Sequence, residues 1–336
     1  MPQREVERLN WVRTVSTLPE PQVKMLAGDA SFRRYYRVTG SHQQTEILVD
    51  APPPEALEPF HSVALAYAKA GLQVPQVKAT NIQQGFMLLE DLGDTLLLET
   101  KVSARHRYQQ AIDLLPKVMS VQATRLGPLP AYDKALLEQE NGLFMDWLLK
   151  KHLGLTLSDH ELSLWQHFAS VMTKNALEQP QVGVHRDYHS RNIMVNSAQE
   201  LALIDFQDAV VGAITYDAVS LLRDCYVAWP TDFVDELMGY AYQVFQKHGY
   251  LAATVDLSRF RRWFDLMGLQ RHTKASGIFA RLYHRDGKPR YLGDIPQTLR
   301  YIVQVAKQYD ELAAYGHWVE QKVLPLAEQR GTPCEP

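Results

Sequence analysis

A polar stretch between residues 184 and 209 constrains this 336-residue chain more than any other feature. It reads VHRDYHSRNIMVNSAQELALIDFQDA and places Asp187, Asn192 and Asp205 in that order. Asp187 and Asn192 share one loop, after which the strand patterns IMVN and LALIDF predict a short hairpin. Asp205 lies at the end of the second strand pattern. The chain is therefore expected to present a carboxylate, an amide and a second carboxylate from a loop, a hairpin and another loop.

These residue types suit phosphoryl transfer. A carboxylate at Asp187 can orient a hydroxyl group and accept its proton. Asn192 and Asp205 offer hard oxygen ligands, which Mg²⁺ prefers, and Mg²⁺ neutralises charge that develops on a transferring phosphoryl group. The same order occurs in kinases as HRDxxxxN followed by DFG. We therefore predict an ATP- and Mg²⁺-dependent kinase with Asp187 as the catalytic base and with Asn192 and Asp205 as metal ligands.

Each residue alone has a simpler interpretation, since loop Asp and Asn residues usually cap helices or form turns. Their combination in the required order is much rarer than its parts. His185 and His189 lie four residues apart and invite comparison with a zinc pair. The segment lacks the Glu of HExxH and reads as a loop, so we do not expect zinc.

The composition excludes several other classes. Hydrophobic residues make up 46% and charged residues 22% of the chain, as in soluble globular proteins. The 35 basic and 38 acidic residues are not gathered into blocks, which argues against a nucleic-acid partner. Cys225 and Cys334 provide no disulfide framework, and no signal peptide or membrane span of ~20 apolar residues is apparent. We expect a cytoplasmic protein with a small-molecule substrate, no membrane association and no obligate protein partner.

The hydrophobic pattern changes character near residue 94. Before it, helical spacing at residues 3–17 and 56–72 alternates with strand patterns, including a hairpin whose turn is Gly-Asp-Ala-Ser. Beyond it, long helical patterns dominate, and the hairpin after Asn192 contains the only two strand-like pieces. The expected long helices cover residues 103–124, 133–153 and 159–179. The sequence thus predicts an α+β fold with a sheet-rich lobe at 1–93 and a helical lobe at 94–330.

The motifs HRDYHSRN, LIDFQDA and GAITYD resemble the aminoglycoside phosphotransferase and choline kinase superfamily, in which the loop reads HxDxxxxN. The resemblance covers nearly the whole chain and implies a bilobal, protein-kinase-like fold. Four further segments resemble bacterial anomeric kinases for N-acetylmuramate and N-acetylglucosamine, which act in cell-wall sugar recycling. These segments are GDASFRRYYR, DAPPP, GFMLLEDLG and GIFARLYHRDGKPRY.

The resemblance also implies roles for individual residues. Asp217 would be a structural carboxylate supporting the catalytic loop. A loop over the ATP phosphates would cover residues 28–33, and main-chain groups of a hinge would bind adenine. The nucleotide-binding residues implied in this way are Gly28, Asp29, Ala30, Ser31, Arg33, Glu90, Asp91 and Leu92.

The sequence departs from the kinase pattern at two positions. Asp50 ends the strand where kinases usually place a lysine that holds the α- and β-phosphates. Arg33 or Arg34 could supply that charge, although either could instead be a solvated strand residue. Gln207 replaces the Gly of DFG, which argues against a protein-kinase type of activation-loop switch.

The acceptor should meet Asp187 from the helical lobe, which contains polar clusters around Glu140, around the pair Arg223 and Asp224, and from 270 to 291. In the last cluster, cationic side chains recur at helical spacing, either as an anion-binding face or as the solvated side of a helix. The acceptor residues predicted from these clusters are Glu140, Arg271, Lys274 and Arg281.

The leading hypothesis is an ATP-dependent kinase for the anomeric hydroxyl of an amino sugar. The mixed charge favours a neutral or anionic sugar over a polycationic aminoglycoside. Two alternatives stay open. One is a kinase for another hydroxyl metabolite, such as an aminoglycoside or a choline-like alcohol. The other is a nucleotide-binding pseudokinase that acts as an interaction module.

Overall fold

The computed structural model describes residues 3–26, 32–99 and 104–330. The predicted phosphate-loop residues Gly28, Asp29, Ala30 and Ser31 lie outside the described residues, as does Cys334. The strands, in chain order, are β1 Gln22–Met25, β2 Arg34–Thr39, β3 Thr45–Asp50, β4 Val77–Asn81, β5 Phe86–Glu90, β6 Ala123–Thr124, β7 Gly127–Pro128, β8 Gln181–Val184, β9 Ile193–Val195, β10 Leu201–Leu203 and β11 Val210–Ala213.

Helices account for most of the chain after the fifth strand. The α-helices, in chain order, are α1 Gln3–Val15, α2 Glu58–Lys69, α3 Ala104–Met119, α4 Lys134–Leu143, α5 Asp159–Glu178, α6 Tyr216–Leu222, α7 Thr231–Lys247, α8 Leu257–Asp286, α9 Ile295–Ala306, α10 Asp310–Trp318 and α11 Leu324–Arg330. Helix α4 continues as a π-helix over Phe144–His152, and a second π-helical stretch covers Val319–Val323.

The chain divides into two compact units. The first comprises Met1–Ala104, Ser120–Leu129 and Arg191–Ala209. The second comprises Arg105–Met119, Pro130–Ser190 and Val210–Pro336. Asn192 and Asp205 therefore belong to the first unit, and Asp187 belongs to the second.

A five-stranded antiparallel sheet in the order β1-β2-β3-β5-β4 forms the centre of the first unit. Side chains alternate between the two faces of a strand, so residues two apart share a face. One face carries Tyr36, Val38, Leu48 and Leu88, which pack with Val12 of α1 into a buried cluster. This packing explains why the first helix forms, since its own polar sequence has little apolar surface besides that stripe.

The hairpin predicted after Asn192 is present. Ile193 of β9 pairs with Leu203 of β10, and both strands are buried. The Leu203 N–H donates to the Gln73 carbonyl oxygen at 2.9 Å, and the Val195 N–H donates to the Thr95 carbonyl oxygen at 2.9 Å. These bonds fix the hairpin, and with it the two residues that flank it, within the first unit.

The 30-residue helix α8 forms the centre of the second unit. It packs against α4, α5, α6, α9 and the π-helix at Phe144–His152. A Cβ atom on Gly277 would lie 2.4 Å from the Leu143 carbonyl carbon, so only glycine permits this close approach of the two backbones. The apolar faces meet in one large core that includes Phe144, Phe168, Leu266 and Leu299.

The predicted fold class is confirmed: a small antiparallel sheet comes first and the remainder is mainly helical. The expectation of only two strand-like pieces beyond residue 94 was wrong. β8 and β11 also pair, with Val184 opposite Val210, and β6 pairs with β7. The sequence of the four-residue β11, which contains Gly212, does not alternate between apolar and polar residues and so gave no sign of a strand.

Among the residues described, no helix combines the length and apolarity that a bilayer crossing requires.

Candidate active site

The loop that carries Asp187 begins where β8 ends. Asp217, at the start of α6, accepts hydrogen bonds from the backbone N–H groups of His185 at 2.7 Å and Arg186 at 3.0 Å. Arg186 has a positive φ of 79°, which a non-glycine residue adopts only when its surroundings enforce it. Asp217 therefore fixes the backbone directly before Asp187, as the family resemblance implies.

A second buried carboxylate, Asp224, holds the other end of the same loop. Its Oδ2 accepts from the Ser190 N–H at 3.0 Å and from the Ser190 hydroxyl at 2.5 Å, and its Oδ1 accepts from the Tyr226 N–H at 2.9 Å. From the sequence, Asp224 was only half of a polar pair with Arg223, but Arg223 bonds to Asp265 instead. Asp187 is thus held between two loop-anchoring carboxylates.

Replacing Asp224 with Ala should loosen this anchor. We expect the free energy of unfolding to fall by about 1.5 to 3 kcal/mol, because buried donors lose a charged acceptor, and we expect kcat to fall with it. Denaturant titration and a steady-state kinase assay measure the two effects. Asp232→Asn, which changes an exposed carboxylate of α7, is the matched control. Equal stability and kcat in the Asp224→Ala variant and the wild type would show that the anchor is dispensable.

Cationic side chains surround Asp187 in the second unit. Arg271 donates through Nη1 to the Arg186 carbonyl oxygen at 2.9 Å, and its guanidinium lies 4.5 Å from the centre of the Tyr216 ring. Lys274 Nζ lies 3.1 Å from the Tyr216 hydroxyl oxygen. Burial alone would raise the pKa of Asp187, but the charges of Lys274, His189, Arg271 and Arg186 together hold that pKa below its usual value. Asp187 is therefore ionised at neutral pH.

Glu140 neutralises part of this positive charge. It is 3% exposed and accepts hydrogen bonds from Arg186 and Tyr132, with Lys274 Nζ 2.9 Å from its Oε1. Gln270 in turn donates to the Tyr132 hydroxyl at 2.9 Å. Burial favours a raised pKa, yet Lys274 and Arg186 outweigh it and lower the pKa of Glu140 to about 2. The predicted acceptor residues Glu140, Lys274 and Arg271 thus lie together around Asp187, with Glu140 engaged by protein cations.

Asn192 and Asp205 lie side by side in the first unit. Asn192 Nδ2 is 3.3 Å from Asp205 Oδ2, and Gln207 Nε2 donates to Asp205 Oδ1 at 2.7 Å. Asp205 has a positive φ of 61°, an uncommon backbone conformation for a residue other than glycine. The following Phe206 is fully buried, 4.7 Å from the Phe60 ring. Gln207 is a functional candidate that the sequence marked only as the missing glycine of DFG.

The chemistry of this pair fits Mg²⁺. Among the described residues, no group of three or more His, Cys, Asp or Glu side chains could hold a metal ion. Mg²⁺ does not need such a cage, because it commonly takes one or two protein oxygens together with phosphate oxygens and water. Rotation of the Asn192 amide would turn its oxygen towards a cation beside the Asp205 carboxylate. Both side chains can therefore serve one ion.

The predicted nucleotide-binding residues that the structure describes occupy different settings. Arg33 pairs with Glu55 at 3.1 Å, just before α2. Glu90 ends β5, and its N–H donates to the Gln76 carbonyl oxygen at 2.9 Å. The Asp91 carboxylate accepts from Arg37 Nε at 2.7 Å. Asp91 and Leu92 follow the last residue of β5, so their backbone groups lie outside the strand ladder, as a hinge requires.

Asp50 is fully buried on the face of the sheet that packs against α1. Arg4 Nε donates to its Oδ1 at 2.7 Å, and Arg8 Nη1 donates to its Oδ2 at 3.2 Å. The Arg8 guanidinium also lies 3.8 Å from the centre of the Tyr36 ring. The acidic residue in place of the strand lysine is therefore a structural partner of the first helix.

The fold and these residues define a kinase-like phosphotransferase, and comparison with known proteins agrees. Residues 22–253 match the model of the phosphotransferase enzyme family, to which this chain belongs. A curated relative from Pseudomonas putida, named N-acetylmuramate/N-acetylglucosamine kinase, is 40% identical over 307 residues, which is 90% of this chain and 89% of the relative.

Solved structures share the fold at low sequence identity. Choline kinase LicA from Streptococcus pneumoniae has a TM-score of 0.63 and 13% identity, over 89% of this chain and 99% of that one. The ADP-bound aminoglycoside phosphotransferase APH(2'')-Ib has a TM-score of 0.57 and 15% identity, over 91% of this chain and 99% of that one. These likenesses support the protein-kinase-like architecture expected from the sequence.

Proposed function

We propose that this chain transfers the γ-phosphoryl group of ATP to the anomeric hydroxyl of N-acetylmuramate or N-acetylglucosamine. The single observation that carries the acceptor is the 40% identity, over 90% of the chain, to a relative named as a kinase of these sugars. The ADP-bound structural neighbour supports use of an adenine nucleotide. We place the reaction in the cytoplasm, where it would serve recycling of cell-wall sugars.

Asp187 would act mainly as a positioning carboxylate. The acceptor oxygen forms a bond to the γ-phosphorus, the bond from that phosphorus to the β-bridging oxygen breaks, ADP leaves, and Asp187 takes the hydroxyl proton. A carboxylate whose pKa is held low is a weak base. The anomeric hydroxyl suits such a base, because a hemiacetal hydroxyl is more acidic than an ordinary alcohol. The cations around Asp187 thus favour an acidic acceptor hydroxyl over a simple alcohol.

Asn192 and Asp205 would hold Mg²⁺, and Gln207 would orient the Asp205 carboxylate. The ion, when bound, supplies charge neutralisation at the nucleotide phosphates. Arg33, held by Glu55, is our candidate for the cation that replaces the strand lysine. The backbone at Glu90, Asp91 and Leu92 would bind adenine, with the predicted loop at 28–33 over the phosphates.

The function is tested by incubating the purified protein with ATP, Mg²⁺ and a panel of acceptors while ADP release is followed. We expect turnover of N-acetylmuramate and N-acetylglucosamine and the phosphate at C1 of the product by nuclear magnetic resonance. Phosphate at C6 would overturn the anomeric assignment. Faster turnover of an aminoglycoside or a choline-like alcohol would replace the acceptor class, and no turnover of any acceptor would favour a nucleotide-binding module.

Replacing Asp205 with Ala should abolish Mg²⁺-dependent turnover, since it removes the anionic ligand. Isothermal titration should show that Mg²⁺ strengthens ADP binding to the wild type and not to the variant. Asp208→Ala, which alters an exposed carboxylate three residues later, is the matched control. ADP affinity that responds equally to Mg²⁺ in Asp205→Ala and in the wild type would remove Asp205 from the ligand set.

A further inference from the structure

One face of α8 carries Lys274, Gly277 and Arg281, which are spaced three and four residues apart and therefore lie above one another. Lys274 reaches Glu140 of α4 on this face. Gly277 meets the backbone at Leu143, where α4 passes into the π-helix. This face thus leads from the cluster around Asp187 towards Arg281.

The cations of the cluster around Asp187 and of this helix face differ in how the protein engages them. Arg186 and Lys274 both contact the Glu140 carboxylate, and Arg271 donates to a backbone oxygen. Arg281 makes no ion pair or hydrogen bond with another residue in the described part of the chain, and its Nε is fully enclosed. Arg281 is therefore a partly buried guanidinium without a protein anion.

The electrostatics at Arg281 are unfavourable for a charge. Burial lowers the pKa of Arg281, and the neighbouring Arg285 lowers it further, while Asp286 and Glu140 oppose this from a distance. The guanidinium nevertheless stays protonated at neutral pH. The carboxylate of Asp286 pairs with Arg285 at 2.7 Å and not with Arg281. Because the guanidinium is partly desolvated at its enclosed Nε and has no protein anion, an anion from a ligand would be stabilising at this position.

The position also suits the reach of an acceptor. Arg281 follows Lys274 by seven residues, a rise of about 10 Å along the helix. The Cα–Cβ bonds of a helix tilt towards its N-terminus, and Glu140, which Lys274 contacts, also acts on the charge of Arg281. A pyranose whose hydroxyl meets Asp187 could extend a substituent that carries an anion over this distance.

We propose that Arg281 binds the carboxylate of an acidic acceptor sugar and so distinguishes N-acetylmuramate from N-acetylglucosamine. This inference rests on the proposed function and assigns one residue to one chemical group. The two sugars differ by the lactyl ether, which carries the only carboxylate. A guanidinium matches a carboxylate with two parallel hydrogen bonds, whereas the neutral sugar makes no demand on Arg281.

The test compares the KM values of both sugars for the wild type and for Arg281→Met, which removes the charge and keeps an unbranched side chain. We expect the KM for N-acetylmuramate to rise about 10- to 100-fold, the usual effect of losing a charged hydrogen-bonding partner. The KM values for N-acetylglucosamine and ATP should stay within about twofold. Arg281→Lys, which keeps the positive charge but cannot form two parallel hydrogen bonds, should give an intermediate KM for the acidic sugar.

Arg285→Met, one turn further along α8, is the matched control and should leave both sugar KM values unchanged. Activity on N-acetylglucosamine reports that each variant is folded. If the wild type accepts only N-acetylmuramate, the derivative of that sugar with a carboxamide in place of the lactyl carboxylate replaces N-acetylglucosamine as the neutral acceptor. If Arg281→Met raises the KM equally for both acceptors, or for neither, the role of Arg281 is overturned and the proposed function is not. A wild type that accepts only the neutral sugar has the same meaning. A wild type that phosphorylates neither sugar overturns the proposed function itself.

Discussion

Asp187→Asn is expected to lower kcat by roughly 10²- to 10⁴-fold, the usual contribution of a positioned general base. The amide keeps the shape of the side chain, but it cannot accept the proton, and it replaces one of the two oxygens that would hold the hydroxyl with an N–H donor. The KM for ATP should change little, because the predicted nucleotide-binding residues are elsewhere. Single-turnover kinetics with saturating ATP would isolate the phosphoryl-transfer step.

The pH dependence provides a second measurement on Asp187. Since its pKa lies below the ordinary value of 3.8, the carboxylate stays ionised throughout the neutral and mildly acidic range. We therefore expect kcat/KM of the wild type to show no loss from Asp187 protonation between about pH 8 and about pH 5. An acid limb that belongs to Asp187 within that range would contradict the cationic cluster. Unchanged ADP release in Asp187→Asn would remove this residue from the chemistry.

Glu140→Gln is expected to destabilise the second unit by about 3 to 5 kcal/mol, because it leaves two buried cations without their shared anion. The side chains of Glu140, Lys274 and Arg186 are 4%, 11% and 21% exposed, so water cannot replace the carboxylate effectively. Denaturant unfolding followed by tryptophan fluorescence would measure the loss. An effect below about 1 kcal/mol, as for a surface pair, would show that the cluster is effectively solvated.

Glu138 provides the matched control on the same helix. It forms an exposed pair with Lys134 at 3.6 Å, so Glu138→Gln should change the free energy of unfolding by less than about 0.5 kcal/mol. Lowering the pH should also change the free energy of unfolding differently in the wild type and in Glu140→Gln. The pKa of Glu140 lies below its unfolded value of 4.5, so its stabilisation is complete above that pH and is lost as pH falls towards about 2. Glu140→Gln should lack this part of the acid dependence.

The sequence predicted those parts of the molecule that depend on local order. The hairpin between Asn192 and Asp205 is recognisable because its strand patterns, its turn and the flanking polar residues lie within a few residues of one another. The long helices were placed from apolar periodicity, although α3 ends at Met119 and not near residue 124. Helix α4 passes into a π-helix at Phe144, a change in winding that no residue type announces.

Long-range partnerships were not predictable in the same way. The bond from Gln270 to Tyr132 joins residues 138 positions apart, and the cluster around Glu140 takes in Arg186 and Lys274 from other parts of the chain. Glu140 and Glu138 look alike in the sequence, but the face of α4 that meets α8 buries one and leaves the other exposed. Asp224 likewise acquires its role only when Ser190 comes within hydrogen-bonding distance. Charge in a sequence shows what could pair, and the tertiary packing decides which groups do.

The environment of Asp50 limits which side chains this position can accept. A lysine at this position would point into Arg4 and Arg8, so one substitution would replace two attractive contacts with a buried group of three positive charges. A lysine could be accommodated at position 50 only if both arginines of the first helix changed as well. The contacts between α1 and Asp50 thus leave the phosphate-binding cation to be supplied from another position.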